Sequence, residues 1–366
     1  MKIGFLTFHI PHNYGAVLQA FSLQKVFEKL GYDNEIIDFR RKRQIDYTSL
    51  YPARHGMKSK VKNTLLIPFH FGRKKRADKF QDFIENKLVK SRDTYTNEEQ
   101  LSVCNELYDT FFIGSDQVWN TKKEADKSSA YFLDFVDDSN KKRFAYAPSI
   151  GIAEEKDLSE YKSMLEKFAM ISCREQRGAE VLSKLLNRNV PVVLDPTLIV
   201  ETEYLKELIK KDNSEPYIFY YSLDGFDKRK RNMDILSYFS KRYGYKVKMI
   251  TPEWLYHFRT GKQISNAGIE DFLSLIYNAE FVCTNSFHGT ALSVVLNKPF
   301  YVLEERGGND DRKQSLLRAL HLENRIVPSI SDAKNTADYH MVYDSVNVEL
   351  NKLREKSLEF LKECLQ

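Results

Sequence analysis

The sequence predicts an α/β protein of two domains, each with a largely parallel sheet, sharing a cleft. Three observations predict it. Short apolar runs alternate with segments of helical spacing along most of the chain, as when crossover helices join parallel strands. The 366 residues are more than one hydrophobic core comfortably organises. A break at Asp195-Pro196-Thr197, followed by the polar stretch Lys211-Asp212-Asn213-Ser214-Glu215-Pro216, separates two such series. We accordingly expect an N-terminal domain over 1–198, a C-terminal domain over 199–344 and a final amphipathic helix within 345–366.

In order along the chain, Ile3 to Phe8 is an apolar run ending in turn residues. Val17, Leu18, Phe21, Val26 and Leu30 follow at near-helical spacing, and Gly31 closes the segment. Glu35 to Phe39 gives a second strand. The clusters Arg40-Arg41-Lys42-Arg43 and Arg73-Lys74-Lys75-Arg76 then bracket an aperiodic stretch with Pro52 and Pro68. Strands are expected at Thr110 to Ile113, Phe144 to Ala147, Met170 to Ser172 and Pro191 to Leu194, with helices near Leu158 to Phe168 and from Arg174 to Leu186. The second half repeats this logic. Its strands are Tyr217 to Tyr221, Lys246 to Ile250, Glu280 to Thr284 and Phe300 to Leu303. Its helices lie near Lys228 to Tyr243, near Ile269 to Tyr277, after His288 and over Val348 to Leu365.

The bulk numbers exclude several classes. Against 51 acidic residues stand 56 basic ones, a formal charge of +5. That mild excess does not indicate a nucleic-acid partner, which calls for a concentrated basic face. No run approaches eighteen apolar residues, and Met1 to Ile10 lacks the form of a secretory signal, so a cytosolic protein is expected. Cys104, Cys173, Cys283 and Cys364 are scattered, as reduced packing thiols would be, and neither they nor the histidines have metal-ligand spacing. We expect no metal and no cofactor.

Chemistry concentrates at Thr284-Asn285-Ser286-Phe287-His288-Gly289-Thr290. A strand that stops at a serine and opens a helix through His-Gly brings unpaired helix N–H groups, a hydroxyl and an imidazole to one point, which suits an anion. The same residues also describe an N-capped buried helix whose histidine satisfies a neighbour. Asn13-Tyr14-Gly15 likewise follows a strand and starts a helix, so both turns should face the cleft.

The chain resembles the polysaccharide pyruvyl transferases nearly end to end. The resemblance rests on Lys2 to His9 with Asn13-Tyr14-Gly15-Ala16-Val17-Leu18-Gln19, Phe112-Ile113-Gly114-Ser115-Asp116-Gln117-Val118-Trp119-Asn120, and Ala145-Tyr146-Ala147-Pro148-Ser149-Ile150-Gly151. It continues through Ser172-Cys173-Arg174-Glu175, Leu194-Asp195-Pro196-Thr197 and the His288 segment up to Asn297-Lys298-Pro299. It implies two Rossmann-like domains in a glycosyltransferase-B-like arrangement, with the last helix crossing back onto the first domain. The implied activity is transfer of pyruvate from phosphoenolpyruvate, a co-substrate, onto two hydroxyls of a sugar in a surface polysaccharide or a lipid-linked oligosaccharide precursor.

Under that resemblance His288 handles proton transfer, and Asp116 orients or deprotonates a sugar hydroxyl. Arg174, Ser286, Gly289, Arg312 and Arg306 are candidates for the donor's phosphate and carboxylate. Asn13, Tyr14, Gly15, Ser115 and Trp119 are candidates for the acceptor, the tryptophan as a flat face for a pyranose. Some members of the family carry Arg-Leu-His where this chain reads Ser286-Phe287-His288, so the donor's phosphate must find another cation here. The basic clusters at 40–43 and 73–76 suggest a peripheral contact with an anionic membrane. Two competitors remain: a nucleotide-sugar glycosyltransferase of the same architecture, and a non-catalytic glycan-binding module.

Overall fold

A computed structural model gives the fold and describes residues 1–41, 44–45, 48, 50, 70–122, 128–137, 140–212, 214–223, 229–251, 261–304, 311–336 and 338–366. In the first half the elements are β1 (Lys2–Leu6), α1 (Tyr14–Lys29), β2 (Asp33–Ile36), α2 (His70–Lys87), β3 (Thr110–Ile113), β4 (Lys142–Ala145), β5 (Met170–Ile171), α3 (Gln176–Leu186) and the short α4 (Pro196–Ile199). The second half has β6 (Tyr217–Tyr221), α5 (Arg229–Tyr243), β7 (Lys246–Ile250), β8 (Gly261–Gln263), α6 (Ile269–Tyr277), β9 (Phe281–Thr284), α7 (Phe287–Val295), β10 (Phe300–Val302), α8 (Asp311–Ala319) and α9 (Asp344–Leu365).

Two five-stranded sheets result, ordered β2-β1-β3-β4-β5 and β10-β9-β6-β7-β8. All their pairings are parallel. Parallel strands are covered on both faces, so their sequences run apolar without alternation. Thr110-Phe111-Phe112-Ile113 and Tyr217-Ile218-Phe219-Tyr220-Tyr221 show this, each residue being buried. Helix α1 is buried nearly all round because one face covers the first sheet and the other meets α6 and α7 of the second domain.

The final helix crosses back as expected. At its start Tyr343 donates its hydroxyl to the carbonyls of Ser293 and Lys298 in the second domain. Further on, Arg354 Nε donates to Leu198 O at 2.6 Å, and Leu194 N donates to Ser357 Oγ at 3.0 Å, both in the first half. No described helix is long and apolar enough to cross a membrane.

Several elements differ from expectation. Pro191 to Leu194 makes only a single bridge, Cys173 to Val192, and is not a strand. The helix expected near Leu158 to Phe168 resolves into short turns over 155–166. Helices α2 and α8 were not anticipated. Only Phe80, Phe83 and Ile84 of α2 are buried, and Lys313, Leu316 and Leu317 of α8, which is too little apolar pattern to read.

Candidate functional site

In each sheet the strand order reverses once, between β1 and β3 and between β6 and β9. Ligands of open α/β sheets bind outside the carboxyl ends of the strands at such reversals. Here the two reversals face each other across a cavity of about 370 Å³, lined by Asn13 after β1, Asp116 and Gln117 after β3, Leu223 after β6 and Asn285 to His288 after β9. Thus loops from both domains build one site.

The turn after β9 is built to present His288. Ser286 caps α7, its Oγ accepting the Gly289 N–H at 3.4 Å, while Ser286 N donates to Thr284 Oγ1 at 3.0 Å. Glycine at 289 lets this turn close: a Cβ there would stand 2.4 Å from Thr284 Oγ1. His288 then lies in the first turn of α7 with its ring flat against Gly15 in the first turn of α1. A Cβ on Gly15 would sit 2.0 Å from His288 Nδ1, so only glycine fits. His288 is 7% exposed. Its Nε2 stands 3.7 Å from Asp195 Oδ2, an ion-pair distance too long for a hydrogen bond, and has no hydrogen-bond partner among the described residues.

Behind the ring lies a buried charge network. Asp195 caps α4, its Oδ1 accepting Thr197 N at 3.0 Å and Thr197 Oγ1 at 2.7 Å. Its Oδ2 accepts Ser115 Oγ and Arg174 Nη1, both at 2.7 Å. Burial alone would raise the Asp195 carboxyl; nearby His288, the Arg174 guanidinium and the Thr197 hydroxyl outweigh it and hold the group well below the usual carboxylate range. Arg174 Nη2 reaches Asp116 Oδ1 at 3.2 Å. Asp116 itself has φ +79°, and Ala147 after β4 has φ +55°, left-handed conformations that cost most residues free energy.

Two cations come from α8. Arg312 is gripped by Gln117, whose amide oxygen, oriented toward it, accepts its two Nη groups at 2.7 and 3.2 Å. The Phe287 ring lies between Arg174 at 4.8 Å and Arg312 at 5.9 Å. Lys313 is buried. It donates to the Asn285 carbonyl and pairs with Glu304 Oε2 at 2.7 Å, placing an ammonium beside the α7 N-terminus. A proton-transfer group, a helix N-terminus and two cations therefore meet in one cavity, enough for acid–base work on an anionic substrate.

The site residues expected from sequence divide accordingly. His288, Ser286, Asn13, Asp116 and Arg312 line the cavity, Asn13 also capping α1 through Oδ1 to Gly15 N at 3.0 Å. Several expectations are corrected. Trp119 is 0% exposed, stacks on Phe132 at 5.8 Å and donates to Tyr131 O, so it is core and offers no face to a sugar. Tyr14 is buried, stacks on Phe272 at 4.2 Å and donates across the domains to Ala267 O, which commits its hydroxyl to the interface. Ser115 is buried, and its oxygen serves Asp195 and Arg174. Arg174 does not project into the cleft; its Nη groups are used within the network, so it positions carboxylates in place of gripping a ligand. Gly15 makes room for His288, and the Gly289 N–H is taken by Ser286. Arg306 lies outside the described residues.

Three residues of the site escaped the sequence reading: Asp195, Glu175 and Lys313. Asp195 stands in a segment of the family resemblance and at a break before a proline, with no role given to it, although Asp195-Pro196-Thr197 spells a helix N-cap with Pro at the first helical position. Glu175 stands next to Arg174 in the segment Ser172-Cys173-Arg174-Glu175. Lys313 carried no local signal. Of the basic clusters, 42–43 lie outside the described residues, Arg40 forms a bidentate pair with Asp38 at 2.7 and 2.8 Å, and Arg76 donates to His12 O over the Tyr14 ring.

A model of the family described as polysaccharide pyruvyl transferase matches residues 13–306. Among solved structures the chain is similar to UDP-GlcNAc 2-epimerases. One is from Methanocaldococcus jannaschii, in complex with UDP-GlcNAc and UDP (14% identity, TM-score 0.53, covering 100% of this chain and 99% of that one). Another is from Neisseria meningitidis, bound to UDP-GlcNAc (12%, 0.54, 100% and 99%). An α-glucosyltransferase in complex with UDP and a DNA 13-mer is also similar (12%, 0.52, 99% and 95%). At these identities the likeness shows the fold, two parallel-sheet domains of glycosyltransferase-B type. No curated protein matches the chain significantly by sequence.

Proposed function

The chain belongs to the polysaccharide pyruvyl transferase family, and from that premise we propose that it moves pyruvate from phosphoenolpyruvate onto two hydroxyls of one sugar, in a surface polysaccharide or its lipid-linked precursor. The observation that carries this reading is the His288 imidazole, held between Gly15 and Asp195 with its Nε2 unpartnered at the point where both domains' loops converge. Ketal formation from an enol ester requires a proton delivered to the methylene carbon and protons removed from two hydroxyls. A histidine backed by a carboxylate is suited to that exchange. The donor's phosphate and carboxylate are assigned to Arg312, Lys313 and the first-turn N–H groups of α7, and the acceptor to Asn13 and Asp116.

The test is direct. Protein, phosphoenolpyruvate and candidate glycan acceptors should release phosphate and give a product with a ketal methyl group by NMR. Phosphoenolpyruvate should raise the unfolding temperature. Protection by a nucleotide sugar and none by phosphoenolpyruvate would instead identify the glycosyltransferase chemistry.

A lipid-linked acceptor would place the protein at a membrane surface. On α2, Phe71 is 84% exposed and Lys74 and Lys75 are exposed beside it. Each such lysine near an anionic surface contributes about 1 kcal/mol. Co-sedimentation with anionic vesicles that persists in K74E/K75E would remove this contact.

A further inference from the structure

Three carboxylates share one buried guanidinium. Asp195 Oδ2 is 2.7 Å from Arg174 Nη1, Asp116 Oδ1 is 3.2 Å from Nη2, and Glu175 Oε2 is 4.0 Å from Nε. Asp195 and Asp116 take hydrogen bonds from the arginine, whereas Glu175 does not. Its Oε1 accepts the Ser149 hydroxyl and the Ile150 N–H, both at 2.9 Å, while its Oε2 is buried with no hydrogen-bond partner among the described residues. The guanidinium gives its hydrogen bonds to Asp195 and Asp116, so of the three carboxyls Glu175 has the poorest partners and is the one that holds a proton at least cost. Burial pushes the Glu175 carboxyl up against the opposing pull of Arg174 and Arg312, with the Cys173 thiol the other titratable group at hand. Oε1 already accepts two hydrogens, which leaves Oε2 to carry the proton.

Placement agrees with such a role. Glu175 is the residue before α3 and lines the same cavity as His288. Gly178 seats it, since a Cβ there would lie 3.0 Å from Glu175 Oε1 and 2.5 Å from Cys173 Sγ.

We propose that Glu175 is the acid that protonates the methylene carbon of the donor, leaving His288 as the base toward the sugar; this rests on the pyruvyl-transfer reading above. The Oε2–H bond breaks as the double-bond electrons of the enol ester form the new C–H bond, and the adjacent carbon becomes an oxocarbenium centre. The first sugar oxygen bonds there and its proton passes to His288 Nε2, where Asp195 stabilises the imidazolium. Phosphate leaves with the C–O electron pair and takes that proton from His288. The second hydroxyl closes the ring on the same carbon and returns a proton to the Glu175 carboxylate. One donor and two hydroxyls thus give one ketal and one hydrogen phosphate, with both residues restored.

Glu175→Gln keeps the shape and the two contacts at Oε1 but has no acid. Transfer should fall about a hundred- to ten-thousandfold, while the rise in unfolding temperature with phosphoenolpyruvate is retained and Glu175→Asp recovers part of the rate. Difference infrared spectroscopy at neutral pH should show a protonated-carboxyl band in the wild type that is missing from E175Q, the proton that the acid role requires. Wild-type activity with E175Q within about threefold of it, or absence of the infrared band, overturns the assignment while the pyruvyl-transfer reading stands. A wild type that forms no ketal from phosphoenolpyruvate with any acceptor overturns both.

Discussion

The two halves of the molecule use the same kind of strand-to-helix turn for opposite purposes. In the first domain the turns after β3 and β5 and the α4 cap lock Arg174, Asp116, Asp195 and Ser115 into a network that reaches the cavity only through Asp116. In the second domain the turn after β9 spends its hydrogen bonds on its own backbone and leaves one ring nitrogen unpartnered. One domain holds the charge network and the other holds the imidazole against it; the cavity lies where they touch. A strand-order reversal shared by two differently ordered sheets therefore says where a ligand sits and little about which side acts on it.

The sharpest way to break this contrast is to remove the reactive side. His288→Ala should lower transfer about a hundred- to ten-thousandfold, with donor protection against unfolding kept, since the cations and helix N-terminus remain. A ketal-forming rate near that of the wild type would move the chemistry elsewhere.

Removing the fixed side should cost stability as well as rate. Asp195→Asn leaves the Arg174 guanidinium short of a buried partner, a loss of about 3–5 kcal/mol, measurable by urea unfolding. The same carboxylate makes a signed prediction in pH. Its folded-state pKa lies below the unfolded value of about 3.9, so its contribution is present above that pH and is lost progressively as pH falls below it toward the folded pKa. The acid limb of the wild-type unfolding temperature should flatten in the Asn variant.

Gly15→Ala probes the contact between the halves. The added methyl overlaps the imidazole, and overpacking of this kind costs about 1–3 kcal/mol. The turnover rate should fall by more than the stability change alone accounts for, because the ring is displaced from Asp195. The smallest effects belong to residues that the sequence suggested for the sugar. Tyr14→Phe loses one interdomain hydrogen bond, about 1 kcal/mol, and Trp119→Phe weakens the core; neither should alter the acceptor KM. A rise in KM for either would return that residue to the site.

How much was legible follows from the same contrast. The buried strands and α1, α6 and α7 could be read because their burial imposes apolar runs and regular spacing on the sequence, whereas the half-exposed edge strand β8, Gly261-Lys262-Gln263, carries no such run and was missed. The His288 turn was legible because strand stop, cap, histidine and glycine are consecutive. The network was not, since Ser115 and Asp195 stand 80 positions apart and only folding joins them. Aromatic residues misled for a plain reason: a tryptophan suited to a pyranose is equally suited to Phe132. Helices α2 and α8 were hidden by their charge, although α8 supplies Arg312 and Lys313, the cations that line the cavity among the described residues.

The left-handed backbone at Asp116 has an evolutionary consequence. A search for heat-tolerant variants, blind to activity, should find glycine at position 116 early, since glycine adopts that conformation freely. The same exchange deletes one of the acid partners of Arg174 and a carboxylate of the cavity, so thermal endurance and turnover pull this position in opposite directions.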